Sequence, residues 1–101
     1  MNVFSERIHR CAEEASLTVA DLTRWFDRPR ATVDTWVNGR TPRGPAGITA
    51  ELDLRRLELC IFEDGFRIPV DMRQRARIAF LMEWRNGARE HYRVPHLHPA
   101  A

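Results

Sequence analysis

Apolar positions recur at helical spacing in five stretches of this chain, and nowhere do they alternate as a half-buried strand requires. Phe4, Ile8, Cys11, Ala12 and Ala15 make one face of a first helix over about residues 2–15, with Glu6, Arg10, Glu13 and Glu14 turned away. A second helix begins at Thr18, where Asp21 three residues on completes a capping-box spacing, and runs to Phe26. Asp27-Arg28-Pro29 breaks it, and a third helix restarts at Pro29, since proline is tolerated in a first turn. Asn38-Gly39 stops that helix, glycine being the usual left-handed terminator. Residues 41–47 hold two prolines and two glycines and read as a loop. A leucine-rich fourth helix is expected over 48–63, a break at Asp64-Gly65, and a short extended connector over 66–69. A fifth helix over about 70–90 follows, weakened at Asn86-Gly87, and 91–101 reads as a frayed tail. The fold class is all-α.

With 101 residues the chain supplies one modest core, and 44% apolar residues is ordinary for a globular domain. A net charge of +2 produces no large steering field, so local clustering of charge decides more than the total. All 16 basic residues are arginine, which fits both GC-rich codon usage and a use for the guanidinium fork on phosphates and guanine edges. Cys11 and Cys60 lie far apart in apolar settings and are expected as buried free thiols. The N-terminus turns polar within five residues, so no signal peptide is expected, nor is any apolar run long enough to span a bilayer. A reducing cytoplasm is the expected compartment.

The segment 19–37 carries the most specific pattern. Leu22 and Phe26 face inward from the second helix, Val33 and Trp36 from the third, and the four meet if two short helices cross steeply through a tight turn. The opposite face of the third helix then presents Arg30, Ala31, Asp34, Thr35 and Asn38, small or polar side chains of the kind a major groove about 12 Å wide admits. Leu22, Phe26, Val33, Trp36 and the run Trp36-Val37-Asn38-Gly39-Arg40-Thr41-Pro42 resemble the helix-turn-helix of the Cro and phage-repressor (XRE-like) family. The likeness covers roughly residues 1–43 and departs at Thr23, where the family usually has alanine, and at Asp27, where it usually has glycine. Asp tolerates the left-handed conformation, so the turn survives.

The resemblance implies a lambda-repressor-like head of three helices over 1–43; it says little about the last two helices, which their own apolar pattern marks as a two-helix element over 48–90 for core completion and oligomerisation. It implies base contacts from Arg30, Ala31, Asp34 and Thr35, with Arg30 forking onto a guanine and Ala31 touching a thymine methyl. It implies phosphate contacts from Arg28, Thr32, Asn38, Arg40 and Arg43, and from N–H groups at the helix starts. Between residues 24 and 43 five arginines stand against Asp27 and Asp34, a local excess of three positive charges. The plainer alternative is that Arg30 and Asp34 pair at i, i+4 and the arginines are ordinary surface charge.

Trp25 points away from Leu22 and Phe26 and needs cover, expected from the fourth or fifth helix or from a subunit interface. Ile78, Phe80, Leu81, Met82 and Trp84 cannot all face one groove, and Leu54, Leu57, Leu59, Ile61 and Phe62 exceed a single stripe. That surplus leads to the expectation of a homodimer through residues 48–90. His91, His96 and His98 belong to the tail and lack the geometry of a metal site. Arg85, Arg89 and Arg93 form a basic stripe, read as a solvated face or a second DNA contact.

No catalytic residue, metal site or cofactor is expected, because the chain has no phosphate-cradling glycine loop, metal-ligand spacing or activated nucleophile. The functional expectation is a phage or bacterial transcriptional repressor binding double-stranded DNA as a dimer on an inverted repeat. The alternatives are a DNA-packaging recognition subunit resembling small terminases, whose helices assemble a ring, and an antitoxin-type module using the last two helices on a protein partner.

Overall fold

The computed structural model describes residues 3–93, and within them the chain is all-helical. Five helices follow in order: α1 (Val3–Ala15), α2 (Val19–Phe26), α3 (Arg30–Val37), α4 (Gly44–Phe62) and α5 (Gln74–His91). His96 and His98 lie outside the described residues.

Local chemistry sets the first three boundaries. Thr18 caps α2, its hydroxyl accepting from the Asp21 N–H while the Asp21 carboxylate accepts from the Thr18 N–H. At the other end Asp27 takes the left-handed conformation (φ 54°), and its N–H returns to the Thr23 carbonyl. Aspartate thus takes a left-handed position more usual for glycine. α3 closes in a Schellman arrangement: Gly39 N–H to Trp36 O at 3.2 Å and Arg40 N–H to Thr35 O at 2.8 Å, with Gly39 at φ 113°.

Two later boundaries differ from expectation. α4 begins at Gly44 rather than Ile48, because Pro45 sits in its first turn, where a missing N–H costs nothing. The Gly/Pro-rich stretch is therefore half loop and half helix start. α5 begins at Gln74 rather than Val70. Residues 70–71 form a turn, with Met72 N–H on Pro69 O at 3.2 Å, and Val70 is left 94% exposed. α5 also runs through Asn86-Gly87 without interruption.

The core is shared by all five helices and the connector. Phe4, Ile8, Leu22, Phe26, Val33 and Trp36 fill the space between α1, α2 and α3, with Trp36 edge-on to both Phe4 and Phe26. Leu54, Leu57, Ile61, Phe66, Ile68 and Leu81 continue the same cluster. Trp25 joins the two parts. It is 1% exposed, its indole N–H donates to the Asp53 carbonyl of α4 at 2.8 Å, and its ring stacks on Phe66 of the connector. Cover for Trp25 thus comes from within the chain.

The surplus apolar surface of α5 has the same destination. Phe80 and Trp84 both pack on the Phe66 ring, and Leu81 is fully buried. The connector is thus a wedge on which part of the apolar surplus of α5 packs. Arg85 departs from both readings of the basic stripe. It is buried, and its Nε donates to the Trp25 carbonyl at 2.8 Å, satisfying an orphan acceptor in the last turn of α2. Burial pulls the Arg85 pKa down, and Arg89 beside it pulls the same way.

Ion pairs fix the helices laterally. Arg7 of α1 bridges Glu51 (2.8 Å) and Glu58 (2.6 Å) of α4. Arg77 of α5 grips the buried Asp21 of α2 with Nε and Nη2 and also reaches the Ser16 carbonyl. Cys11 and Cys60 are free and buried, and burial pushes each thiol up to about 12. No described helix is long and apolar enough to cross a membrane.

Burial alone would raise the Asp21 carboxyl, but hydrogen bonds from Arg77 and Thr18 together outweigh it and hold the group below its usual range. A lowered folded pKa stabilises the fold above the unfolded value of about 4, and that stability is lost as pH falls. The melting temperature is therefore expected to drop on acidification below about pH 5, and Asp21→Asn should flatten part of that drop. At neutral pH the same variant should lose about 3 kcal/mol, since it strands the Arg77 charge. Thermal melts of both proteins between neutral and acidic pH test this; parallel curves would remove Asp21 from the account.

Candidate nucleic-acid interface

α3 has only eight residues and a weak propensity for helix, with Thr32, Val33, Thr35 and Val37 all β-branched. Its position is imposed from outside. Val33 and Trp36 are buried, which turns Ala31, Thr35 and Asn38 outward as exposed residues. Its C-terminal end is held by α1: the Ser5 hydroxyl donates to the Val37 carbonyl at 2.9 Å, and His9 Nε2 lies 2.8 Å from the same oxygen.

Ala31, Thr32, Thr35, Trp36, Arg40, Thr41, Pro42 and Arg43 line an open groove of about 640 Å³ beside α3. The structure thus brings together five of the expected contact residues: Ala31, Thr32, Thr35, Arg40 and Arg43. Arg30 and Asp34 lie on the adjoining strip of the helix, outside the groove lining, with Arg30 Nε 3.9 Å from Asp34 Oδ2. Their side chains are 68% and 46% exposed, so the pair is a loose surface contact worth little. Asn38 is exposed at the C-cap of α3. Arg28 is half-buried in the turn and is not among the residues that line the groove.

The helix starts differ in what they offer an anion. At α2 the Thr18–Asp21 box and Arg77 already occupy the N-terminus, so phosphate binding there, expected from the resemblance, meets a carboxylate instead. At α3 and α4 no described side chain caps the first turn. Those N–H groups are the available anion donors, and Arg43 is itself the N-cap residue of α4.

The site also uses residues to which the sequence pattern assigns no contact. Thr41 and Pro42, the end of the run that carries the resemblance, form part of the groove wall. Gly47 lets the loop approach α4: a Cβ there would lie 2.9 Å from the Pro42 carbonyl oxygen, closer than packing allows. A glycine inside the Gly/Pro-rich stretch was visible, but its partner five residues earlier was not. Ser5 and His9 gave no signal at all, being ordinary polar residues of an amphipathic helix.

Asp53 lies behind the site, at 3% exposure, with Arg56 and Arg89 each 3.8 Å from Oδ1. Its Oδ2 has no hydrogen-bond partner among the described residues. Burial pushes its carboxyl up, more than the surrounding arginines pull it down. Its backbone carbonyl, bonded to Trp25, makes the structural contact. Comparison with protein-family models, curated proteins and solved structures finds no match to this chain.

Proposed function

We propose that this chain is a non-enzymatic, sequence-specific double-stranded DNA-binding protein, a transcriptional regulator of the repressor type that acts as a dimer on an inverted repeat. The supporting observation is the groove beside α3, in which small groove-facing side chains adjoin Arg40 and Arg43. In this reading α3 enters the major groove, and Ala31 and Thr35 meet base edges, with Arg30 and Asp34 at the flank. Thr35 already donates its hydroxyl proton to the Thr32 carbonyl at 2.6 Å. What it then offers a base is acceptor lone pairs and a methyl group, suited to an exocyclic amine of cytosine or adenine or to a thymine methyl. Arg40, Arg43 and the open first turns of α3 and α4 hold the phosphates, with Thr32 and Asn38 beside them. Arg28 adds charge at the turn.

Two expectations test the reading on purified protein. Duplex binding should weaken steeply with salt, with log K against log salt near −5 if a dimer neutralises about six phosphates. Binding indifferent to salt would defeat the proposal. Thr35→Ala and Arg30→Ala should change sequence preference, costing about 1–3 kcal/mol at one base position, while Arg40→Ala and Arg43→Ala weaken all duplexes alike. Selection of bound duplexes from a random pool, repeated for each variant, separates the two classes. A uniform loss for Arg30→Ala would move it to the phosphate group.

A further inference from the structure

With α5 turned inward, the large apolar side chains that stay outside are few. On α4 they fall in one line: Ile48 (56% exposed), half-buried Leu52 and Leu59, and Phe62 (47% exposed). Arg55, exposed, takes the middle place. The spacing of 48, 52, 55, 59 and 62 alternates between four and three residues, the period of a helix seam that meets another helix. The line runs along most of a 19-residue helix. Its other face is spent on the core, through Leu54, Leu57 and Ile61.

We infer that this outer stripe is the seam of a homodimer in which α4 packs antiparallel on α4 of a second copy, across a two-fold axis near Arg55. The inference rests on the DNA-binding reading for its purpose, though not for its geometry. The stripe is symmetric about Arg55. Reversing one copy sets Ile48 against the partner's Phe62 and Leu52 against the partner's Leu59, so that each large apolar group finds another. Beside Phe62 a shallow dimple of about 250 Å³, lined by Arg55, Glu58, Leu59, Phe62 and Glu63, lies where the partner's Ile48 arrives.

Charge selects the antiparallel sense. The Phe62 end is acidic on balance: Glu63 and Asp64 follow in sequence, and a second dimple at the same ring is lined by Glu13, Glu14 and Arg10, with Arg10 5.6 Å from the ring centroid and Glu14 paired to Arg67. The Ile48 end has Arg40 and Arg43 and no carboxylate between residues 40 and 50. Antiparallel packing sets each acidic end on a basic one; parallel packing sets like on like. Arg55 at the axis approaches the partner's Glu51 and Glu58, which flank the stripe and whose four oxygens also accept from Arg7 of their own chain.

The arrangement has a consequence for DNA. The groove beside α3 adjoins the N-terminal end of α4. A helix of 19 residues is about 28 Å long, so antiparallel pairing places the two grooves near opposite ends of that length. That is close to the separation of about 34 Å between successive major-groove faces on one side of B-DNA.

The test uses the full chain without DNA, so failure of the seam and failure of the DNA reading are separable. Sedimentation or light scattering at tens of micromolar should give a dimer. Ile48→Asp with Phe62→Asp should weaken it at least ~100-fold, with circular dichroism unchanged because both side chains are exposed. Ile48→Cys combined with Phe62→Cys should form a covalent dimer under mild oxidation, and neither single variant should. A monomeric full chain, a ring of many subunits, a dimer indifferent to the double aspartate variant, or cross-linking by a single cysteine variant would each overturn the proposal.

Discussion

The joining of α2 to α4, the connector and α5 depends on the burial of one tryptophan. Trp25 lies one turn along α2 from Leu22, at the edge of the core between α1, α2 and α3, and takes its cover from the rest of the chain. α4, the connector and α5 close over it, and the indole N–H bonds to the Asp53 carbonyl while Phe66 stacks on the ring. A buried tryptophan with its N–H satisfied is worth roughly 3–5 kcal/mol against truncation. In a domain with ~5–15 kcal/mol in total, that share is enough to make the two halves one folding unit.

The arginines divide by what surrounds them rather than by where they fall in sequence. Arg7, Arg77 and Arg85 are structural, each bonding a carboxylate or a helix-end carbonyl on another element. Arg30, Arg40 and Arg43 are exposed around α3. Guanidinium suits both tasks, because it spreads charge over a rigid fork and tolerates partial burial. α5 uses this twice on α2, with Arg77 at the N-terminal carboxylate and Arg85 at the C-terminal carbonyl. The helix carrying the turn is thereby held at both ends, and the turn residue Asp27 has Arg85 Nη2 3.7 Å away.

A short, β-branched α3 suits an interface of this kind. It is not stable by itself, so its outer face carries no burden of packing and is open to choice by the ligand. Stability comes from Val33 and Trp36 beneath, from Ser5 and His9 at the Val37 carbonyl, and from the Gly39 stop. The loop after it is pinned by contact with Gly47.

The amino-acid sequence by itself determined the all-α class, the capping box at Thr18, the left-handed turn at Asp27, the stop at Gly39 and the inward set Leu22, Phe26, Val33 and Trp36. Each of these is written in residues within one or two helical turns of one another, where propensity, capping and periodicity act directly. It also marked Trp25 as needing cover. Only the tertiary structure decided what supplied that cover, that Phe66 would take up Phe80 and Trp84, and that Arg85 would be buried while Arg89 stayed half in solvent. It alone left Ile48, Leu52, Leu59 and Phe62 on the outside of α4. Those outcomes turn on contacts between residues far apart in the chain. An amphipathic helix with more than one apolar stripe has several faces it can bury, and only the packing of the other helices against it selects among them.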